Sequence, residues 1–485
     1  MVSSAKEVTL IFPPMPHIEE RGEEATLSDF KLKTYDLWLA HILKKFGSSS
    51  DLHKVLPSNA NPISLGLLCL SAYLKNRGVK VKYIHCDYLR NKKGLTWDGL
   101  LEFIIRETST SIVCGFYSTT PMVDYAMQIA QSIKSKNPDI VVVTGGPHVT
   151  FVDIETINQH PYIDFVVRGE GEETLYEIVK NINQAGKPIM EIPGTTYRVN
   201  GQAKRVPDRQ LLPSDQIPSP DFDILPQDYN LLLTDMYSRG CPFRCKFCAE
   251  HKVWKNRVRF RNPEIVVEEL IKIRHNFNQD LIHLADSEID ASPENLKKLL
   301  DAIENKKLDC RFTVNLRPDA YKRIDSVLLK RMIKLGFVGF FIGVESASDY
   351  MLERMGRNSI FSDFLKTLDL LNNNNVKVII PYLMLGFPGE TEATLKETQE
   401  KFIELLEEGR ISFLFPKIFI PYPGSDPYEN PEAYSIKISK NWEEFSRFGF
   451  PPPFTSPCLS NEILSASIIS FYERIYDIMR RKSQE

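Results

Sequence analysis

Cys241, Cys245 and Cys248, in Gly240-Cys241-Pro242-Phe243-Arg244-Cys245-Lys246-Phe247-Cys248, are the side chains best spaced to do chemistry together. A tight loop with C-x₃-C-x₂-C spacing can aim three thiolates at one point. That is one short of the usual four-cysteine shell, so a 4Fe–4S cluster held this way keeps one iron open for another ligand. Zinc is the competing occupant: it needs four ligands, and His251 is near enough in sequence to supply the fourth. The remaining cysteines, Cys69, Cys86, Cys114, Cys310 and Cys458, are scattered. They do not form a disulfide framework and suit a reducing, cytoplasmic setting.

Such a loop needs strands to carry it. Downstream, strand-like runs at Leu281–Ala285, Arg311–Asn315, Gly339–Val344, Lys377–Leu385 and Ser412–Ile420 alternate with helical patterns at 263–277, 293–305, 326–335, 360–373 and 391–408. With a strand before Cys241, the apolar run Leu231–Leu233 and Met236–Tyr237, these give six β/α units, whose chemistry belongs at the carboxyl ends of the strands. Those ends carry Asp286, Ser287 and Glu288; Asn315 and Arg317; Glu345, Ser346 and Ser348; and Gly386-Phe387-Pro388-Gly389.

Residues 1–210 alternate in the same way, through Val8–Phe12, Val79–His85, Ser111–Phe116, Ile140–Thr144 and Phe165–Arg168. This predicts a parallel, doubly wound α/β sheet with ligands at its carboxyl edge. That edge holds Ser118 and Thr119, Gly145-Gly146-Pro147-His148 and Gly169–Glu172, with no G-x-G-x-x-G. Residues 15–60, with Phe30, Tyr35 and Trp38, read as an insertion. Residues 211–234 are a Pro-, Asp- and Ser-rich linker, and 235–430 hold the second α/β unit. Residues 431–485 form a small, mostly helical cap, with an aromatic, proline-rich stretch at Trp442–Phe454 and an amphipathic helix at Glu462–Met479.

The C-x₃-C-x-Phe-C loop resembles the signature of the radical S-adenosylmethionine enzymes. Ile11–Pro14, Ser64–Gly66, Gly115–Ser118, Thr144–Thr150 and Val167–Glu172 resemble the cobalamin-binding-type domain that precedes many of those modules. The resemblance implies a Rossmann-type domain followed by a partial (β/α)₆ barrel. It implies a 4Fe–4S cluster on Cys241, Cys245 and Cys248, with S-adenosylmethionine on the open iron and a 5′-deoxyadenosyl radical released by reductive cleavage. Phe247 would lie near the adenine, and the Gly386–Gly389 backbone, Pro388 included, would pass it. Glu345 would bond the ribose hydroxyls, with Ser346 in the same block. Asp286 and Ser287 would lie near the methionine end or the substrate, and Asn315 and Arg317 near the carboxylate or sulfonium. Ser118, Thr119, Gly145, Gly146 and His148 would face cobalamin. One departure stands out: no D-x-H-x-x-G, the motif that offers a histidine to cobalt, occurs here.

The net charge of −3 gives no basic excess, so no nucleic-acid partner is expected. No apolar run approaches the ~20 residues of a membrane span. The expected partners are a small-molecule substrate and an electron donor such as flavodoxin or ferredoxin. By resemblance the first expectation is a cobalamin-dependent methyltransferase acting on a small natural-product intermediate. The close alternative is a radical dehydratase, epimerase or cyclase whose first domain is empty. From another class, a zinc-stapled binding protein stays open on the cysteine spacing. A tRNA-thiolating enzyme is disfavoured, since no appended RNA-binding domain or second cluster is seen.

Overall fold

The computed structural model describes residues 7–14, 63–185, 191–226, 229, 233–445 and 452–484. Phe30, Tyr35 and Trp38 of the 15–60 segment, Leu231 and Leu232 before the cysteine loop, and Phe448, Phe450 and Pro451 lie outside the described residues.

The first sheet has seven strands: β1 (Glu7–Phe12), β2 (Lys80–His85), β3 (Ser111–Tyr117), β4 (Val141–Gly145), β5 (Phe165–Val167), β6 (Thr195–Val199) and β7 (Gln202–Arg205), in the order β2-β1-β3-β4-β5-β6-β7. Strands β1 to β5 run parallel. Apart from the edge strand β2, whose first four residues are exposed or half-buried, they are short, apolar and largely buried, as expected of strands covered on both faces. The order reverses between β1 and β3, and such a switch point opens a crevice beyond the strand ends. The antiparallel β6–β7 hairpin was not among the expected strands. Its signal is Asn200-Gly201, whose φ angles of 48° and 82° are both left-handed, as a two-residue type I′ turn requires.

The second sheet has six parallel strands: β8 (Thr234–Asp235), β9 (Leu281–Leu284), β10 (Arg311–Leu316), β11 (Phe337–Glu345), β12 (Val378–Leu385) and β13 (Phe415–Ile418), in simple sequential order. β13 is shorter than expected at its start. Ser412 is used otherwise: its Oγ accepts from Ile379 N at 2.9 Å and donates to Lys377 O at 2.8 Å. Sequential order with a helix after each strand gives an open barrel whose carboxyl rim faces one way.

The last helix, Asn461–Gln484, packs on Glu392–Glu407 and ties to the barrel where Tyr472 donates to Pro416 O at 2.7 Å. Among the described residues no helix is long and apolar enough to cross a membrane.

Candidate active site

The cysteine loop leaves β8 through a short antiparallel pair, Ser238–Arg239 with Arg259–Phe260. Asp286, at the end of β9, holds that exit. Its carboxylate accepts from Tyr237 N at 2.9 Å, Ser238 N at 2.6 Å and Ser238 Oγ at 2.5 Å. Asp286 is thus engaged by the backbone entering the loop. Ser287 donates to Glu250 at 3.2 Å, and Asn315 Nδ2 donates to the Asp286 carbonyl at 2.9 Å, so β9 and β10 brace each other. Gly240 has a φ of +108°, and a Cβ there would collide with the Arg257 carbonyl oxygen. Gly240→Ala should therefore lose most of its iron on reconstitution, checked by iron and sulfide content per chain.

Cys245 is buried, and Cys241 and Cys248 are partly so. Burial pushes Cys241 up to about 11 and Cys248 up to about 12, and neighbouring cysteines add to both shifts. The thiols therefore feel one another's charge, and binding iron must release protons. Among the described residues no three His, Cys, Asp or Glu side chains are drawn in to metal-holding distance, these cysteines included.

Arg357 carries no motif signal in sequence, yet it reaches the cysteine loop. Its Nη1 donates to Cys245 Sγ at 3.5 Å, its Nη2 pairs with Glu345 at 2.8 Å and bonds the Gly343 carbonyl, and its guanidinium lies 5.6 Å from the Phe247 ring centre. Glu345 closes β11 with a φ of +73°, a left-handed strain unusual for a residue with a side chain. Burial raises the Glu345 pKa against the pull of Arg357. Arg317 stacks 3.6 Å from the centre of the Phe243 ring and donates to Asp319 at 3.1 Å. Among the described residues, Arg317 Nη2, Arg357 Nε and Glu288 Oε2 are buried without a hydrogen-bond partner. Burial and the Asp290 charge push Glu288 up to about 8. Unsatisfied guanidinium N–H groups and a carboxyl oxygen on one rim fit a polar ligand next to the three cysteines.

Gly386 has a φ of +85° and donates its N–H to the buried Glu390 carboxylate, while the Pro388 carbonyl accepts from Arg354 at 3.1 Å. Ser346 is fully buried, 2.9 Å from Thr398 Oγ1, and braces the rim from behind.

A cavity of about 620 Å³ lies between the first sheet's carboxyl edge and the barrel. Thr119, Gly145, Gly146, Gly171 and Leu70 line it from one side, and Arg239, Glu250, Trp254 and His283 from the other. A Cβ on Gly146 would come within 2.6 Å of the Ser118 carbonyl oxygen, so the wall is drawn in close there. The largely apolar, glycine-smoothed wall fits a broad cofactor such as cobalamin. Two expected contacts are not on it. Ser118 is buried 2.8 Å from Thr144 Oγ1, lacing β3 to β4. His148 is buried with Nδ1 3.0 Å from Thr120 Oγ1 and its ring edge-on to Trp442. Burial pushes His148 down to about 3, so it is a neutral packing residue. His148→Ala should retain cobalamin within about twofold of wild type, checked by cobalt content, and lose ~1–3 kcal/mol of stability from Thr120 left unpaired.

Comparison with known proteins bears on this arrangement. Residues 236–402 match the Radical SAM superfamily and residues 57–179 the B12 binding domain. An uncharacterised methyltransferase of Pyrococcus horikoshii is 31% identical over 88% of this chain and 91% of its own length. The chain belongs to the radical S-adenosylmethionine superfamily, in the branch with a B12-binding domain. An anaerobic magnesium-protoporphyrin IX monomethyl ester cyclase of Rubrivivax gelatinosus is 26% identical over 84% of this chain and 72% of its own. The structure of the radical S-adenosylmethionine methyltransferase TsrM from Kitasatospora setae, with cobalamin and a 4Fe–4S cluster bound, shares the fold. It has a TM-score of 0.67 and 16% identity, covering 90% of this chain and 78% of the other. The chain is therefore a radical enzyme whose cofactors are a 4Fe–4S cluster, S-adenosylmethionine and cobalamin, and the zinc-stapled reading falls away.

Proposed function

We propose that this enzyme is a cobalamin-dependent methyltransferase that acts on an unactivated carbon of a small natural-product intermediate. The observation that carries the reading is the cavity itself: one wall comes from the first sheet's glycine turns and the other from the barrel residues beside the cysteine loop. A group held there lies beside the radical site. When bound, the cluster and S-adenosylmethionine supply a hydrogen-abstracting radical and cobalamin supplies a methyl group. The chain's own residues hold and orient. Cys241, Cys245 and Cys248 bind iron, Arg357 sets the charge beside Cys245, Glu345 and Phe247 receive the nucleoside, and Thr119, Gly145 and Gly146 approach the corrin.

A second reading, a radical cyclase, is favoured by the similarity to the Rubrivivax cyclase. Anaerobic reconstitution with iron, sulfide and hydroxocobalamin, followed by metal analysis and deuterium-labelled methyl tracing from S-adenosylmethionine, tests the proposal. Near-stoichiometric cobalt with label in a product supports methyl transfer. Cobalt and 5′-deoxyadenosine with no labelled methyl in any product would favour ring formation.

A further inference from the structure

The barrel's inner face is aromatic where barrels of this kind are ordinarily filled by branched aliphatics. The His283 and Phe341 rings meet edge-on at 5.7 Å, Phe341 stacks on Tyr382 at 5.7 Å, and Tyr382 stacks on Phe415 at 5.8 Å. Strand register explains the ladder. His283 pairs with Thr313, Asn315 with Phe341, Gly343 with Tyr382 and Tyr382 with Phe415, so these positions share one face across β9 to β13. The ladder is not a sealed core: His283, Tyr382 and Phe415 are each partly accessible, and His283 also lines the cavity beside the first sheet.

Lys417 stands on the same face, two residues beyond Phe415. Its neighbours Pro416 and Ile418 are buried, whereas Lys417 is exposed. Its Nζ lies 5.3 Å from the centre of the Tyr382 ring. Among the described residues no carboxylate sits at ion-pair distance from it. Glu345, the anion that acts on it, is already held by Arg357 at 2.8 Å. Although the residue as a whole is exposed, crowding around its ammonium lowers the Lys417 pKa against the pull of Glu345.

We infer that this face is the substrate seat, and that the substrate is a carboxylate with a planar, unsaturated body: the body lies along Phe341, Tyr382 and Phe415, and Lys417 holds the carboxylate. A single ammonium is a point charge, suited to a monoanion, whereas phosphate sites gather several donors. The inference rests on the radical S-adenosylmethionine reading, because it places the substrate beside Glu345 and the cysteine loop.

The test uses the full chain, reconstituted with cluster and cobalamin, in anaerobic equilibrium dialysis with two pairs of probes: indole-3-propionate and its methyl ester, and 2-naphthoate and its methyl ester. Wild type should hold at least one acid about tenfold more tightly than its ester, the size of one charge-assisted contact. K417M should erase that preference and K417R should keep it, while S-adenosylmethionine, dialysed separately, stays bound to all three. Equal retention of acid and ester in both pairs, or retention of neither, overturns the inference. So does loss of S-adenosylmethionine binding in K417M, which would assign Lys417 to the cofactor. Absence of 5′-deoxyadenosine from wild type would instead sink the radical reading.

Discussion

Cys245→Ala should cleave S-adenosylmethionine at least ~10³-fold more slowly than wild type, a barrier increase of ~4 kcal/mol, and should lose the brown cluster absorbance with it. A cluster with one open iron needs all three thiolates, and the variant leaves two. The loop's backbone does not depend on the sulfur: Lys246 N donates to Met355 O at 2.9 Å and Cys248 N to Cys245 O at 3.1 Å, so the fold should survive. What changes electrically is that Arg357, buried with its Nε unpartnered, loses the sulfur its Nη1 meets at 3.5 Å. Cys245→Ser restores the volume and a polar acceptor but not a thiolate, so it should keep the melting temperature and still fail to cleave. Iron and sulfide content, the visible spectrum and 5′-deoxyadenosine by mass spectrometry are the readouts. Cleavage retained in Cys245→Ala would remove this loop from the chemistry.

Much of this centre was legible in sequence because its signal is local. Three cysteines in eight residues announce a metal site by spacing, though the spacing alone leaves iron and zinc open, and the strands that flank them alternate with helices at a period that hydrophobicity reveals. Glu345 and Asp286 were legible as rim positions, since a residue at the carboxyl end of a barrel strand can be placed by counting units. Their partners were not. Arg357 lies twelve residues beyond Glu345, past the helix Asp349–Arg354, and only the return of the chain brings it to Cys245. His148 was ambiguous for the complementary reason. A histidine after a Gly-Gly-Pro turn looks offered to a ligand, but Trp442, nearly three hundred residues later, closes over it. Gly169-Glu170-Gly171-Glu172 read as turn chemistry at the cofactor edge, whereas its two carboxylates join the two α/β units. Long-range ion pairs leave no periodicity.

That junction is the second place where a single change should act strongly. Glu170→Ala should destabilise the protein by ~3–5 kcal/mol, the usual result of removing one partner from a buried ionic group. Glu170 accepts from Arg239 at 2.7 Å, from Arg259 at 2.9 and 3.0 Å, and from Leu212 N at 2.7 Å. Glu172 holds the other arm of Arg239 at 2.8 Å. All four charged side chains are buried, so after the substitution Arg259 keeps the Leu212 carbonyl at 2.6 Å and Arg239 keeps Glu172, while both lose their carboxylate bonds to Glu170. Because Glu170 and Arg239 also line the cavity, cobalamin retention should fall together with the melting temperature. The effect has a sign in pH. Burial works to raise the Glu170 pKa, but the hydrogen bonds and charges of Arg259 and Arg239 win and hold it below the usual carboxylate value. A depressed folded-state pKa means the stabilisation is present above the unfolded value, about 4.3, and is lost as pH falls through the folded one. The gap in melting temperature between wild type and Glu170→Ala should therefore be full at pH 7 and narrow only below roughly pH 4. A variant that melts with wild type at pH 7 would mean that the two units are held together by something other than these charges, with the apolar contacts of the linker around Leu212 and Ile217 the next to change.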